Sequence, residues 1–110
     1  MATNHMHEYG THAITQVTRA DGGTVETVHE DPTWTGDMAN NPTYSRWTVD
    51  QPLVLHPGDA LRTSCYWDNT TTNAMTFPRE MCVGVGFALT TGTSTKVPAC
   101  FDGTWVDSGL

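Results

Sequence analysis

The chain has 110 residues, 37% of them hydrophobic and 15% charged, which fits one domain spanning residues 1–110 and argues against a disordered chain. Its formal net charge is −7 and its five Lys and Arg residues form no cluster, so we expect no nucleic-acid partner, because such partners need basic side chains against their phosphates. No run of 18 or more apolar residues occurs, so no membrane span is expected.

The elements predicted along the chain are strands. Val, Thr, Trp and Tyr dominate short stretches between turn signals, and no 12-residue window keeps the apolar spacing of an amphipathic helix. Turns are predicted at 21–23 (Asp-Gly-Gly) and at 57–59 (Pro-Gly-Asp), because Gly tolerates positive φ and Pro has a fixed φ. Many short strands at this spacing indicate an all-β sandwich or jelly roll. The predicted strands are 5–9, 12–19, 23–29, 46–54, 60–66, 81–90 and 103–106.

The sharpest local feature is the triplet His5-Met6-His7. Side chains at i and i+2 of a strand lie on one face, so the two histidines could offer their imidazoles to one metal ion while Met6 points away. Imidazole suits both copper and zinc. An HxH triplet by itself is weak evidence, however, and an exposed strand end is the ordinary alternative.

A second candidate ligand lies in the segment Glu80-Met81-Cys82. Thioether sulfur selects Cu(I), although a methionine more often fills a gap in a core. Neighbouring strand residues face opposite sides, so a Met81 directed at a metal would leave Cys82 on the other side. The odd cysteine count, completed by Cys65 and Cys100, suggests one disulfide with one remaining thiol, and an oxidising compartment.

Three segments, in this order, resemble the copper type II, ascorbate-dependent monooxygenases, the family of dopamine β-hydroxylase and peptidylglycine α-hydroxylating monooxygenase. HMHEYGTHAITQVTR (5–19) looks like that family's HxH strand, and LVLHPGDALRTSC (53–65) is similar to its turn and strand leading to a disulfide cysteine. REMCVGVGFAL (79–89) looks like the strand that carries the methionine ligand. The resemblance covers nearly the whole chain and corresponds to the family's C-terminal domain.

The resemblance implies an antiparallel β-sandwich of jelly-roll type with one copper ion. His5, His7 and Met81 match the two His and one Met ligands of the family's oxygen-activating copper, and are therefore the expected metal and catalytic residues. Cys65 and Cys82 match the family's disulfide. In the family this copper binds dioxygen and hydroxylates a C–H bond, with ascorbate as the reductant, so we expect dioxygen and an unidentified small molecule as partners of this chain. Such chemistry needs an open coordination position beside the protein ligands.

The chain departs from the family in three ways. The family's second copper, held on an N-terminal domain, has no counterpart, because His12, His29 and His56 do not match its ligands and are expected to be ordinary surface or half-buried residues. Turnover would then need a missing N-terminal copper domain or another electron source. Cys100 resembles a cysteine whose partner precedes the HxH strand, so we expect a free thiol or an intermolecular disulfide. Residues 83–85 (Val-Gly-Val) replace the contacts of the peptide-amidating branch, so a peptide carboxylate substrate is not expected.

The remaining sequence features concern location and packing. The N-terminus lacks the basic and apolar segments of a signal peptide, so we expect a mature or excised domain of a secreted or periplasmic protein. Asn69-Thr70-Thr71 is a formal N-glycosylation sequon, a triplet that also occurs by chance. The tryptophans are expected to fill or cap the core, and they are Trp34, Trp47, Trp67 and Trp105.

Two further functions fit the same residues. A non-catalytic copper module for storage, delivery or sensing would share the ligands but would need no substrate pocket. A purely structural sandwich with adventitious metal at its HxH would bind Zn(II) or Ni(II) about as well as Cu(I), and would bury Met81 in its core.

Overall fold

The computed structural model describes residues 1–87, 98–101 and 104–107. Over that part of the chain the fold is all-β, as predicted, with seven strands in antiparallel sheets and a 3₁₀ turn at Gly36–Ala39. None of the described residues forms a helix long and apolar enough to cross a membrane. The strands are β1 Ala2–His5, β2 Gly10–Thr18, β3 Val25–Asp31, β4 Ala60–Trp67, β5 Val83–Gly86, β6 Pro98–Phe101 and β7 Thr104–Asp107.

Strand β2 is the centre of a three-stranded sheet with the order β3-β2-β4. Ala13, Thr15 and Val17 of β2 are buried, whereas the residues between them are half-buried. This period of two is that of a strand with one covered face. The hairpin from β2 to β3 turns at Gly22 and Gly23, whose φ values are 85° and 69°, and this confirms the predicted Asp-Gly-Gly turn.

Strand β1 pairs with β5 and covers the buried face of β2. Ala2 packs with Val17 in one apolar cluster, and Met6, just beyond β1, packs with Ala13 in a second. From residue 2 to residue 7 buried and half-buried side chains alternate. The segment therefore turns Met6 into the core and leaves the histidines on either side of it facing outward, as the alternation predicts. Strands β6 and β7 form a separate pair.

A buried polar network fixes the position of β1 relative to the β3-β2-β4 sheet. Asn4 is fully buried; its Nδ2 donates to Asp31 Oδ2 at 2.9 Å, and its Oδ1 accepts from Thr15 Oγ1 at 2.6 Å. His29, 5% exposed, lies 3.3 Å from the same Asp31 oxygen and 2.8 Å from Ser45 Oγ. His29 is thus a core residue and not the surface or half-buried histidine that we expected. Since a slip of one residue would expose Asn4 and bury His5, the network also sets which face the HxH presents.

Several strand boundaries differ from the predictions. The strand predicted at 5–9 instead runs over Ala2–His5, because the chain turns after His7, where Gly10 N donates to His7 O. The strand predicted at 46–54 is absent: the chain turns with Gln51 N donating to Thr48 O, and Pro52 cannot donate to a ladder. Strand β6 was not predicted. Residues 88–90 of the strand predicted at 81–90, residue 103 of the strand predicted at 103–106, and the side chains of Cys100 and Trp105 lie outside the described part of the chain.

Candidate metal centre

The imidazoles of His5 and His7 lie in direct contact with each other. Their Nε2 atoms lie 3.1 Å apart, and the ring planes are nearly perpendicular at 89°. Two nitrogens at this separation, each about 2.0 Å from a shared ion, subtend an angle of about 100° at that ion. That angle is close to the one between neighbouring ligands of a four-coordinate metal, so the pair fits a copper or zinc ion.

The orientation of the His7 ring is fixed by the chain segment that precedes Met81. His7 Nδ1 lies 2.9 Å from the backbone oxygen of Arg79, which can only accept a hydrogen bond. The proton of a neutral His7 is therefore on Nδ1, and its Nε2 lone pair faces His5. Metal-binding histidines are commonly held in this way by a carbonyl on the ring nitrogen that does not bind the metal.

Glu80 holds the loop that carries His7. Its carboxylate accepts from the backbone N–H of His7 at 3.2 Å and of Tyr9 at 2.9 Å, and from Trp67 Nε1 at 3.0 Å. On the opposite side Trp34 Nε1 donates to His7 O at 2.9 Å. The loop after β1 is thus bound from two sides, and this arrangement is what brings the second imidazole back beside the first.

The charge state of His5 also suits a metal ligand. Partial burial lowers the pKa of His5, the neighbouring His7 lowers it further, and the negative charge of Glu80 opposes both effects. A lower pKa keeps His5 neutral over more of the physiological pH range. Since an imidazole binds a metal only in its neutral form, protons compete less at this residue than at an unperturbed histidine.

Met81 directly follows Arg79 and Glu80, the two residues that form hydrogen bonds with the loop carrying His7. It is half-buried and lines a cavity of about 360 Å³ together with Tyr9, Trp67, Met75 and Phe77. The structure therefore brings the segment that carries Met81 to the loop of His7, whereas Met81 itself lines a cavity whose described lining includes neither His5 nor His7. Trp67 is 44% exposed at this cavity, contrary to the expectation that it fills or caps the core. Trp34, by contrast, is 4% exposed in a core cluster, and Trp47 packs against the other.

The predicted disulfide between Cys65 and Cys82 is present, with the two Cα atoms 5.7 Å apart. It ties β4 to the residue next to Met81, and Cys65 packs against the cluster that contains Met6. The disulfide therefore links strand β4, which contacts the Met6 cluster through Cys65, covalently to the segment that carries Met81.

The other histidines have protein partners of their own. His12 Nε2 lies 3.0 Å from Glu30, with its ring stacked on Tyr66, and His56 Nδ1 lies 3.7 Å from Asp59. Across 1–87, 98–101 and 104–107, no group of three or more His, Cys, Asp or Glu residues is placed to hold a metal. The candidate centre therefore rests on the paired imidazoles of His5 and His7.

Sequence reasoning missed the residues that support this centre. The Arg79 carbonyl and the Glu80 carboxylate lie inside the segment that suggested Met81, but the carbonyl contacts the His7 imidazole and the carboxylate contacts backbone N–H groups and an indole, all outside that segment. No spacing rule reports such contacts. The chain matches no protein-family model, and neither curated proteins nor solved structures give a significant match to it.

Proposed function

We propose that this chain is the copper-binding domain of an ascorbate-using, copper-dependent monooxygenase, with His5, His7 and Met81 as the copper ligands. The observation that carries the proposal is the 3.1 Å approach of the two Nε2 atoms, with the other nitrogen of His7 held by a carbonyl. Bound copper would supply the activation of dioxygen for hydroxylation of a C–H bond. A jelly-roll sandwich is part of the same proposal and is supported by the packing of β1 over the β3-β2-β4 sheet.

The protein's own groups would have distinct parts in such a centre. The imidazoles provide two neutral nitrogen donors, and the Met81 thioether favours Cu(I) over Zn(II) because soft sulfur prefers the softer ion. The Arg79 carbonyl and the Glu80 carboxylate keep the His7 ring and its loop in place. Electrons would come from ascorbate or from an N-terminal copper domain on the same or another chain. The disulfide supports a secreted or periplasmic location.

The cavity beside Met81 is the proposed substrate site. Aromatic rings and thioethers dominate its lining, and no Lys or Arg belongs to the described lining. The carboxylate in its wall, Glu80, already accepts from three donors. A small, uncharged, largely apolar molecule therefore fits this lining better than an anion, since an anion would lose its hydration without gaining a cationic partner.

The ligand set is tested by X-ray absorption on copper-loaded, ascorbate-reduced protein. We expect a Cu–S contribution in the wild type that disappears in Met81→Ala and persists in Met75→Ala, the matched control from the same cavity wall. A Cu–S contribution that survives Met81→Ala, or is missing from the wild type, would remove Met81 from the centre. Equal affinity for Zn(II) and Cu(I) would reduce the site to adventitious binding at the HxH.

A second experiment separates catalysis from storage or delivery. Oxygen and ascorbate consumption is followed while small neutral aromatic molecules such as benzyl alcohol are added to the copper-loaded protein. Consumption that rises with the added molecule, and falls in His7→Ala, supports the monooxygenase. Stoichiometric copper binding without any such consumption, even with a second copper domain supplied, would favour a non-catalytic copper module.

A further inference from the structure

The loop that follows β4 contains a second, unrelated chemical feature, the triplet Asn69-Thr70-Thr71. Its pattern is that of an N-linked glycosylation acceptor, in which the middle residue is not proline. Asn69 and Thr70 are both exposed, in a stretch without regular secondary structure that lies between the two disulfide cysteines. The triplet thus lies where a large modifying enzyme can reach it without disturbing a strand.

The side chains of the triplet are already arranged around the acceptor amide. Asn69 Oδ1 accepts from the Thr71 backbone N–H at 3.0 Å and from Thr71 Oγ1 at 2.7 Å. Asn69 Nδ2 donates to Asn73 O at 2.8 Å, a single exposed bond within the same loop. The amide and the hydroxyl that define the sequon therefore lie side by side, and only one weak contact must be released to free the nitrogen.

The Cys65–Cys82 disulfide is an independent indication of the cellular compartment in which the chain folds. The loop is enclosed by the Cys65–Cys82 disulfide, whose cysteines are 17 residues apart and lie on either side of Asn69. Disulfides form and persist in oxidising compartments, which include the lumen where N-linked glycans are attached. In a eukaryotic cell, a chain that acquires this disulfide in that lumen would also meet the transferase there.

We propose that Asn69 is an acceptor for an N-linked glycan when the chain enters a compartment that holds a lipid-pyrophosphate-linked oligosaccharide and its transferase. In the transfer, a bond forms between Asn69 Nδ2 and the anomeric carbon of the first sugar, and the bond from that carbon to the phosphate oxygen breaks. Nδ2 loses one proton, the lipid pyrophosphate leaves, and nothing is oxidised or reduced. Asn69 also lines the cavity beside Met81, so the glycan would stand at the rim of that cavity.

The test is secretion of the full chain from mammalian cells behind a signal sequence, with the intact mass measured before and after treatment with a peptide N-glycosidase. We expect one glycan on the wild type, its removal by the enzyme with conversion of Asn69 to aspartate, and its absence from Asn69→Gln and Thr71→Ala. Thr71→Ser should keep the glycan, because the hydroxyl remains.

The chain supplies its own controls. Asn73→Gln changes a neighbouring asparagine outside any sequon and should leave the glycan in place. The triplet Asn41-Pro42-Thr43 has the right first and third residues, but its proline should prevent modification. A secreted, disulfide-bonded wild type of unmodified mass, or a glycan that survives in Asn69→Gln, would overturn the proposal. Neither result depends on copper binding.

Discussion

Replacing Glu80 by glutamine tests whether the carboxylate positions the metal centre. The carboxylate accepts two hydrogen bonds on Oε2 and one on Oε1, so a glutamine with its oxygen in the Oε2 position leaves one donor without an acceptor and makes the other two bonds neutral. A hydrogen bond to a charged group contributes roughly 1.5–3 kcal/mol. Because Glu80 is half-buried we take the lower end for the bond that is lost and about half of that value for each bond that becomes neutral, which gives a loss of roughly 3 kcal/mol in the free energy of unfolding. Urea denaturation of the metal-free protein measures this loss.

The same substitution should weaken copper binding. If about half of the lost energy is that of keeping His7 beside His5, Cu(I) affinity falls about tenfold, since 1.4 kcal/mol corresponds to a factor of ten. A competition titration with a Cu(I) chelator gives the affinity. Glu8→Gln is the control, because it removes the same charge from an exposed position in the same loop. Equal Cu(I) affinities for Glu80→Gln and Glu8→Gln would refute a positioning role for Glu80.

Three further outcomes are expected. Asn4→Ala should lower the free energy of unfolding by about 2–3 kcal/mol in urea denaturation, because a fully buried side chain and its hydrogen bonds are lost, whereas the exposed Asn40→Ala should change it little. The double variant Cys65→Ser, Cys82→Ser should lose about 3 kcal/mol, the value for a loop of this length, and its thermal midpoint should no longer respond to a reductant. The pKa of Asp59 is held far below its ordinary 3.8 by hydrogen bonds from the backbone N–H groups of His56 and Ala20 and from the Arg19 guanidinium. Asp59 therefore contributes stability that is present above pH 3.8 and is lost as the pH falls. Asp59→Asn should therefore show a weaker loss of stability between about pH 4 and pH 2 in acid titrations followed by circular dichroism, and an unchanged acid limb would contradict this account.

The local patterns of the sequence predicted the parts of the fold that depend on near neighbours. The alternation around Met6 gave the outward face of both histidines, and the Asp-Gly-Gly triplet gave the first hairpin. The segment 46–54 misled because Trp47 and Leu53 have the composition of a strand, but they pack into the core from a turning chain. Strand propensity reflects packing on a pleated surface and does not show whether a partner strand is available.

In the candidate centre, too, the sequence predicts local features but not contacts between distant residues. The sequence could name His5, His7 and Met81, because each is a recognisable donor, and the resemblance could pair Cys65 with Cys82. It could not reveal that Arg79 orients His7 through a backbone oxygen, since every residue has one. Nor could it show that His29 is buried with Asp31, because both side chains are polar and their burial is stabilised only by partners brought in from other strands.

The hold of Arg79 on His7 also determines when the centre can exist. The two residues are 72 positions apart, so the carbonyl can reach the imidazole only after residue 79 has been synthesised. An emerging polypeptide carries the HxH long before it carries the groups that orient it. Contacts between such distant residues form late because a long loop must close first. Under the proposed copper function, selective loading would therefore be a property of the folded molecule, and a nascent or unfolded chain would offer only two flexible imidazoles with little preference among metals.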